Sequence, residues 1–237
     1  NKLLKGEVWM AITSRDFKKE ELESLKARKQ FPRSVRFAYD GLALIQNISN
    51  TDSCISVDNI KDILNGKITH WNQIYPKSKI GEITIVFDNP NSSAVHFVED
   101  SILGGKPILN KNVAAVKKTA EVIKYVEENK GAIGIIGSNW LNDKRDTTNL
   151  TFKKEIRPMA VSSVPVANVQ NSWKPYQYYI FNGSYPLART LYILLNDTHM
   201  GLPTGFSNFI ISQDKGQKII LKTGLLPAYG NLTVRNV

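Results

Sequence analysis

The sequence predicts an α/β fold with parallel-rich sheets arranged in two lobes. Three observations carry this. Short apolar, β-branched runs alternate with segments of helical periodicity along most of the chain. No internal repeat or low-complexity tract interrupts the alternation. The length of 237 residues exceeds the roughly 100–150 of a common single domain, so two lobes fit better than one. With 42% hydrophobic and 22% charged residues, the chain has the composition of a globular protein and is too apolar for a disordered one.

Taken in order, Asn1-Lys-Leu-Leu-Lys-Gly6 reads as the end of a helix closed by glycine. It has no apolar leader, and as a helix end followed by a strand it leads to the expectation that the chain begins inside a fold unit, with an N-terminal segment missing. Val8–Thr13 is expected to be a buried strand. Phe17–Lys29 has helical periodicity, with Phe17, Leu22 and Leu25 on one side. Val35–Ala38 and Leu42–Gln46 are two apolar runs around Tyr39-Asp40-Gly41. Ser56 is the expected N-cap of a helix that Gly66 closes. Ile83–Phe87 reads as a strand, Ser92 or Ser93 opens a helix to about Leu103, and Ala120–Glu128 is a helix ending near Gly131. Ala132–Ile136, Ile156–Val166 and Tyr176–Phe181 read as extended. Pro186–Leu195 and Phe206–Thr223 read as mostly helical, with a break at Gly216.

The net charge of +10 raises a nucleic-acid reading, but its distribution opposes it. Residues 1–40 hold 10 basic and 6 acidic residues, 41–165 hold 15 and 13, and 166–237 hold 6 and 2. The local cluster of Lys18, Lys19, Lys26, Arg28 and Lys29 is interleaved with Glu20, Glu21 and Glu23. It reads as a solvated helix face with i,i+4 pairs. No recognition motif accompanies it, so no nucleic-acid partner is expected; a general attraction for anions remains. No apolar run reaches the ~20 residues of a membrane span.

Little in the sequence supports catalysis. His70, His96 and His199 belong to no metal-ligand pattern, and Cys54, the sole cysteine, has no nucleophile-elbow context. Nucleotide and phosphate-loop signatures are absent. No catalytic residue, metal or cofactor is therefore expected, and an enzyme acting on a phosphorylated or acyl substrate lacks a nucleophile–base pair. Two strand-to-helix turns stand out as anion cradles. Asp88-Asn-Pro-Asn-Ser92-Ser93 leads from a strand to a helix start, where unpaired N–H groups and serine hydroxyls could hold an oxyanion. Ile12-Thr-Ser14-Arg15-Asp16 repeats the pattern with an arginine. On local pattern alone, ordinary capping is the better reading of the first and a cap plus a surface ion pair the rival reading of the second.

Several segments then resemble the periplasmic phosphate-binding proteins of ABC-type phosphate importers, in the type II solute-binding superfamily. Leu4-Lys-Gly-Glu-Val8 through Thr13-Ser-Arg15 is similar to that family's opening passage. Ala38-Tyr-Asp-Gly-Leu-Ala-Leu-Ile45 resembles its crossover strand, and Ile60-Lys-Asp-Ile-Leu-Asn-Gly-Lys-Ile-Thr-His-Trp71 matches a family stretch closely. Lys130-Gly-Ala-Ile-Gly-Ile135, Tyr185-Pro-Leu-Ala-Arg-Thr-Leu-Tyr192 and Gln217 to Pro227 resemble further motifs in family order.

The resemblance implies an α/β, two-lobed, type II periplasmic-binding-protein-like fold, with the family's N-terminal strand/helix unit missing from this chain. Residues 1–40 plus 164–237 would form one lobe and 45–158 the other, with 41–44 and 159–163 as hinge or crossover strands. It implies a non-catalytic, extracytoplasmic protein that captures inorganic phosphate for an ABC permease. That protein would be monomeric, periplasmic, and open to lipid anchoring through the missing N-terminus. The implied ligand contacts are Ser14, Arg15, Asp40, Asp88, Ser92 and Ser93. The family's cleft motif R-x-x-G-S-G-T meets Asp88-Asn-Pro-Asn-Ser92-Ser93-Ala94 here: the serine is kept, while Asp88, Ser93 and Ala94 replace the arginine, glycine and threonine. Losing the arginine removes a charged contact of about 1.5–3 kcal/mol per hydrogen bond. A carboxylate there either repels a dianion or accepts a proton from a monoprotonated phosphate. The alternative is therefore the same fold serving as a binding or sensory protein for another small ligand.

Overall fold

A computed structural model describes residues 2–141, 156–197 and 199–230. In chain order the elements are α1 (Lys2–Lys5), β1 (Met10–Thr13), α2 (Lys19–Ala27), β2 (Arg33–Asn47), β3 (Cys54–Ser56), α3 (Val57–Leu64), β4 (Thr84–Phe87), α4 (Ser93–Phe97), β5 (Val113–Ala115) and α5 (Thr119–Glu128). There follow β6 (Ala132–Gly137), β7 (Ile156–Pro158), β8 (Ala160–Ser162), β9 (Ser172–Trp173), α6 (Gln177–Phe181), β10 (Ala188–Leu195), α7 (Leu202–Ile211), α8 (Gly216–Lys222) and β11 (Leu226–Pro227). The chain divides into two compact units, Asn1–Asp40 with Arg189–Val237, and Gly41–Ala188. Among the described residues no helix is long and apolar enough to cross a membrane.

The first unit is a sheet carrying helices, with antiparallel pairings at β1–β10 and β11–β2. β1 pairs with β10 from Met10 opposite Leu195 to Thr13 opposite Tyr192, β10 neighbours β2, and β11 pairs with β2 at Tyr39 and Ala38. Phe37, Ala38, Ile193, Leu195 and Ile220 form its core. Gln217, on α8, is buried among them without cost because all of its polar ends are used. Its amide donates to the carbonyls of Phe37 (3.0 Å) and Ile210 (2.9 Å) and accepts from the Tyr229 N–H (2.8 Å). One side chain thus binds α8 to β2 and to α7. On α2, Lys19 and Glu23 stand as an exposed i,i+4 pair, the solvated arrangement the charge pattern predicts.

The second unit joins a mixed sheet and a small one. The C-terminal part of β2 pairs antiparallel with β6, Leu42 opposite Gly137 through Gln46 opposite Ile133, and with β7. β4 runs parallel to both β6 and β5. Helix α5 covers this sheet with Val122, Ile123 and Val126 against Ala43, Ile45 and Val86. It lies close because Gly134 has no side chain: a Cβ there would come within 2.8 Å of Ile45, Val122 and Val126. The small sheet has β3 parallel to β8 and β8 antiparallel to β9. Ser56 caps α3 by accepting from the Asn59 N–H at 3.0 Å, and Gly66 takes φ +73° after it.

Several expectations change. Val8–Thr13 is half-buried, with Trp9 and Ile12 exposed, because among the described residues β1 has one neighbour, β10. The two apolar runs around Asp40 are a single strand, β2. Pro186–Leu195 is not helical. Its β-branched and aromatic residues Thr190, Tyr192 and Ile193 make strand β10 once β1 is present to pair with it. Tyr176–Phe181 is not extended but is the short helix α6, where Tyr179 packs on Trp173 at a centroid distance of 4.8 Å. The helix opened by Ser92 is regular only to Phe97 and then widens into a π turn over Val98–Ile102. Residues 164–188 stay with the second unit, because β9 pairs with β8 and the Tyr185 hydroxyl donates to the Leu42 carbonyl at 2.5 Å. Residues 159–163 accordingly lie inside that unit, and the chain passes between units at 40/41 and 188/189.

Two glycines give a paired test of packing. A Cβ on Gly216 would meet the backbone oxygens of Phe209 and Ile210 at 2.2 and 2.3 Å, whereas one on Gly205, inside α7, meets nothing within 4 Å. Gly216→Ala is expected to destabilise by about 2 kcal/mol or more. Gly205→Ala is expected to stabilise by about 0.4–1 kcal/mol. Chemical denaturation of the two variants checks both signs.

Candidate functional site

The residues singled out in the sequence fall into two sets. Ser14, Arg15 and Asp40 belong to the first unit; Asp88, Ser92 and Ser93 belong to the second.

In the first unit, Ser14 and Arg15 follow the end of β1 directly. The Thr13 hydroxyl donates to the Arg15 carbonyl at 2.6 Å and tightens the turn. The Arg15 guanidinium forks onto Glu21, with Nη1 to Oε2 at 2.8 Å and Nη2 to Oε1 at 2.7 Å. Glu21 also accepts the Lys18 N–H at 2.8 Å, so the same carboxylate caps α2. The hydrogen bonds from Arg15 are the main reason the Glu21 carboxyl is held down at about 2, against an opposing push from burial. Arg15 is thus a positioned guanidinium whose orientation Glu21 sets. Glu21 escaped the sequence reading as a site residue, although its place three residues after Lys18 is the N3 position of a capping box.

Asp40 lies on β2 and is buried. It accepts from Arg189 on β10, Nε to Oδ2 at 3.0 Å and Nη2 to Oδ2 at 2.7 Å. The side chains of Arg189 and Asp40 are 9% and 3% exposed. Arg189 was legible only as a member of the Tyr185–Tyr192 motif. Its partner is 149 residues away in sequence, and no local pattern marks the pair. In this structure Asp40 carries a buried ion pair with Arg189.

In the second unit, Asp88 follows β4 and opens a turn that bonds to itself. Asp88 Oδ1 accepts the Asn89 N–H and Asn89 Oδ1 accepts the Asn91 N–H, each at 3.0 Å. Ser92 is buried and its Oγ accepts the Val95 N–H at 3.2 Å. This is the capping role that the local pattern favours, and it leaves the hydroxyl proton available as a donor. Ser93 is exposed. The turn therefore brings one carboxylate, two hydroxyls and the first N–H groups of α4 to the same end of β4. That set can donate to an oxyanion and accept a proton from it. Among the described residues no group of three or more His, Cys, Asp or Glu could hold a metal ion.

Both ion pairs can be tested. Because the folded pKa of Glu21 lies near 2, below its ordinary 4.5, its pair stabilises fully above about pH 4.5, and that contribution is lost as pH falls toward 2. Glu21→Gln is therefore expected to lower stability at pH 6 and to flatten the acid limb of the stability–pH curve. Asp40→Ala, which strands the Arg189 guanidinium in the interior, is expected to cost about 3–5 kcal/mol. The double variant Asp40→Leu with Arg189→Met should recover much of that loss. Thermal and urea unfolding measure each.

Comparison with known proteins identifies the family of the chain. The family model of the PBP superfamily domain matches residues 1–214. Among curated proteins, the phosphate-binding protein PstS of Borreliella burgdorferi is 28% identical over 227 residues, covering 92% of this chain and 71% of its own. The phosphate-binding protein PstS of Staphylococcus saprophyticus is 24% identical over 223 residues, covering 91% and 64%. The chain thus spans about two thirds of the length of these relatives. Among solved structures, an ABC-type phosphate transport receptor from Vibrio cholerae superposes with TM-score 0.73 at 20% identity, over 95% of this chain and 82% of that one. A putative phosphate ABC transporter substrate-binding protein from Clostridium perfringens, with bound phosphate, superposes at 0.70 and 22%, over 96% and 82%. These two likenesses concern the fold. With a family model matched along nine tenths of its residues, and with its two α/β units, the chain belongs to the PBP superfamily.

Proposed function

We propose that this chain is the binding portion of an extracytoplasmic solute-binding protein that captures inorganic phosphate and passes it to an ABC permease, without chemistry of its own. The observation that carries the reading is collinear similarity over 92% of the chain to a protein named for phosphate binding. The turn at Asp88–Ser93 adds chemical sense. Ser92 and Ser93 offer hydroxyl donors at the start of α4, and Asp88 offers the acceptor that a protonated phosphate oxygen needs. Arg15, oriented by Glu21, supplies positive charge. Ser14 and Asp40 complete the candidate set, Asp40 through its hold on Arg189. The protein acts as a monomer outside the cytoplasm, and a lipid anchor is one way to keep it beside the permease.

A second reading keeps the fold and changes the ligand: a binding or sensory protein for another small molecule. Asp88 favours it, standing where the phosphate-binding family has arginine. The two readings diverge at this residue. Calorimetric titration of the intact gene product with inorganic phosphate should give saturable heat, with sulfate, which carries no proton to donate at neutral pH, much weaker. Asp88→Arg should weaken phosphate binding about tenfold or more if the carboxylate accepts the ligand's proton. Under the second reading, Asp88→Arg creates or strengthens phosphate binding. Absence of heat with phosphate, together with heat from another small ligand, removes the first reading.

A further inference from the structure

A cavity of about 420 Å³ lies within the second unit, against the small sheet β3–β8–β9. It is distinct from the Asp88–Ser93 turn, none of whose residues lines it. Arg157 and Lys174 bring two cationic side chains to its wall, and Trp173, Tyr176 and Tyr179 bring three aromatic rings. Among the described residues that line it there is no carboxylate.

Arg157 is held by a neutral carbonyl, whereas Arg15 and Arg189 are held by carboxylates. The Nη2 of Arg157 donates to the Asn50 carbonyl, which anchors the guanidinium. Its Nε is buried and has no hydrogen-bond partner among the described residues. A buried, unsatisfied charged donor is costly, so this guanidinium carries hydrogen-bonding capacity that its described neighbours leave unused. The aromatic wall is already assembled: Trp173 and Tyr179 pack at 4.8 Å with their planes 39° apart, and Tyr178 meets Tyr179 edge-on at 5.3 Å.

Size and lining together select the ligand class. Small-molecule sites typically measure about 300–1,000 Å³, with an apolar lining and a few placed polar groups. A water takes up roughly 30 Å³, so a bare inorganic oxyanion would leave most of this cavity unfilled. A molecule with a carboxylate at one end and a flat apolar body at the other uses both the cations and the rings. We propose that the second unit carries a separate site for a small aromatic carboxylate, with Arg157 and Lys174 receiving the carboxylate and Trp173, Tyr176 and Tyr179 enclosing the ring. This stands independently of the phosphate reading and involves none of its residues.

The probe is phenylacetate, with phenylacetamide as its neutral counterpart and inorganic phosphate as the bare anion. The readout is the Trp173 indole N–H cross-peak in a ¹H–¹⁵N spectrum of the intact gene product, assigned by its loss in Trp173→Phe. Phenylacetate should shift the peak saturably, and phenylacetamide should need about tenfold higher concentration or more. Phosphate should leave the peak in place. Arg157→Gln should weaken the phenylacetate response about tenfold. Because Arg157 also holds the Asn50 carbonyl, Lys174→Gln at an exposed position provides a second variant that does not disturb the fold. Weakening in either folded variant supports the site. No shift with phenylacetate, an equal response to the amide, displacement by phosphate, or unchanged affinity in every folded variant overturns it. Calorimetric loss of phosphate binding with the Trp173 response intact would reject the phosphate reading alone.

Discussion

The interaction on which the first unit most depends is the buried pair between Asp40 and Arg189. A guanidinium and a carboxylate removed from water lose several kcal/mol of hydration each, and only a close, hydrogen-bonded partner offsets that. Here two contacts, at 2.7 and 3.0 Å, meet one carboxylate oxygen. The two residues sit where β2 leaves the first unit and where β10 enters it. The pair therefore constrains two strands distant in sequence to lie side by side at this point. An apolar pair could fill the space, but it would not impose the same register, since apolar contacts tolerate sliding and a forked ion pair does not.

The same economy governs the turns that carry the candidate ligand groups. Glu21 serves twice, as the partner that orients Arg15 and as the acceptor that closes the first turn of α2. Ser92 likewise uses its lone pair to cap α4 while keeping its proton. Capping and ligand binding are thus not rival explanations for Ser92. The cap holds the hydroxyl oxygen in place, and a held hydroxyl is a better donor than a freely rotating one, because less side-chain entropy is lost on binding.

What could be read from the sequence follows from how local each signal is. Ser56, Gly66 and the run at Thr84–Phe87 are set by their neighbours along the chain, and their elements appear where expected. β10 was misread because Leu187, Leu191, Leu194 and Leu195 mimic helical spacing; the antiparallel partner β1, more than 170 residues earlier, decides the matter. No sequence signal marks β9, and Tyr176–Phe181 reads as extended rather than as α6, for a related reason: a two-residue strand and a five-residue helix have too little length to show a period. At the site, the turn residues Asp88, Ser92, Ser14 and Arg15 were visible as polar punctuation between elements. Glu21 and Arg189, which hold two of the candidate groups in place, were not, because their importance lies in contacts that only folding creates.

The fate of the arginines gives the net charge its meaning. A positive balance of +10 suggests a surface suited to anions, but several of the arginines are occupied by the protein itself. Arg15 is held by Glu21, Arg189 by Asp40, Arg33 by the Thr204 hydroxyl at 2.7 Å, and Arg28 by the Ser24 carbonyl at 3.2 Å. Arg157, whose side chain lines the cavity of the second unit, also has a buried Nε that finds no partner among the described residues. Bulk charge raises the local concentration of any anion. Selectivity requires a cation whose remaining hydrogen-bonding capacity is fixed in direction, and in this chain that property belongs to particular side chains rather than to the sum of charges.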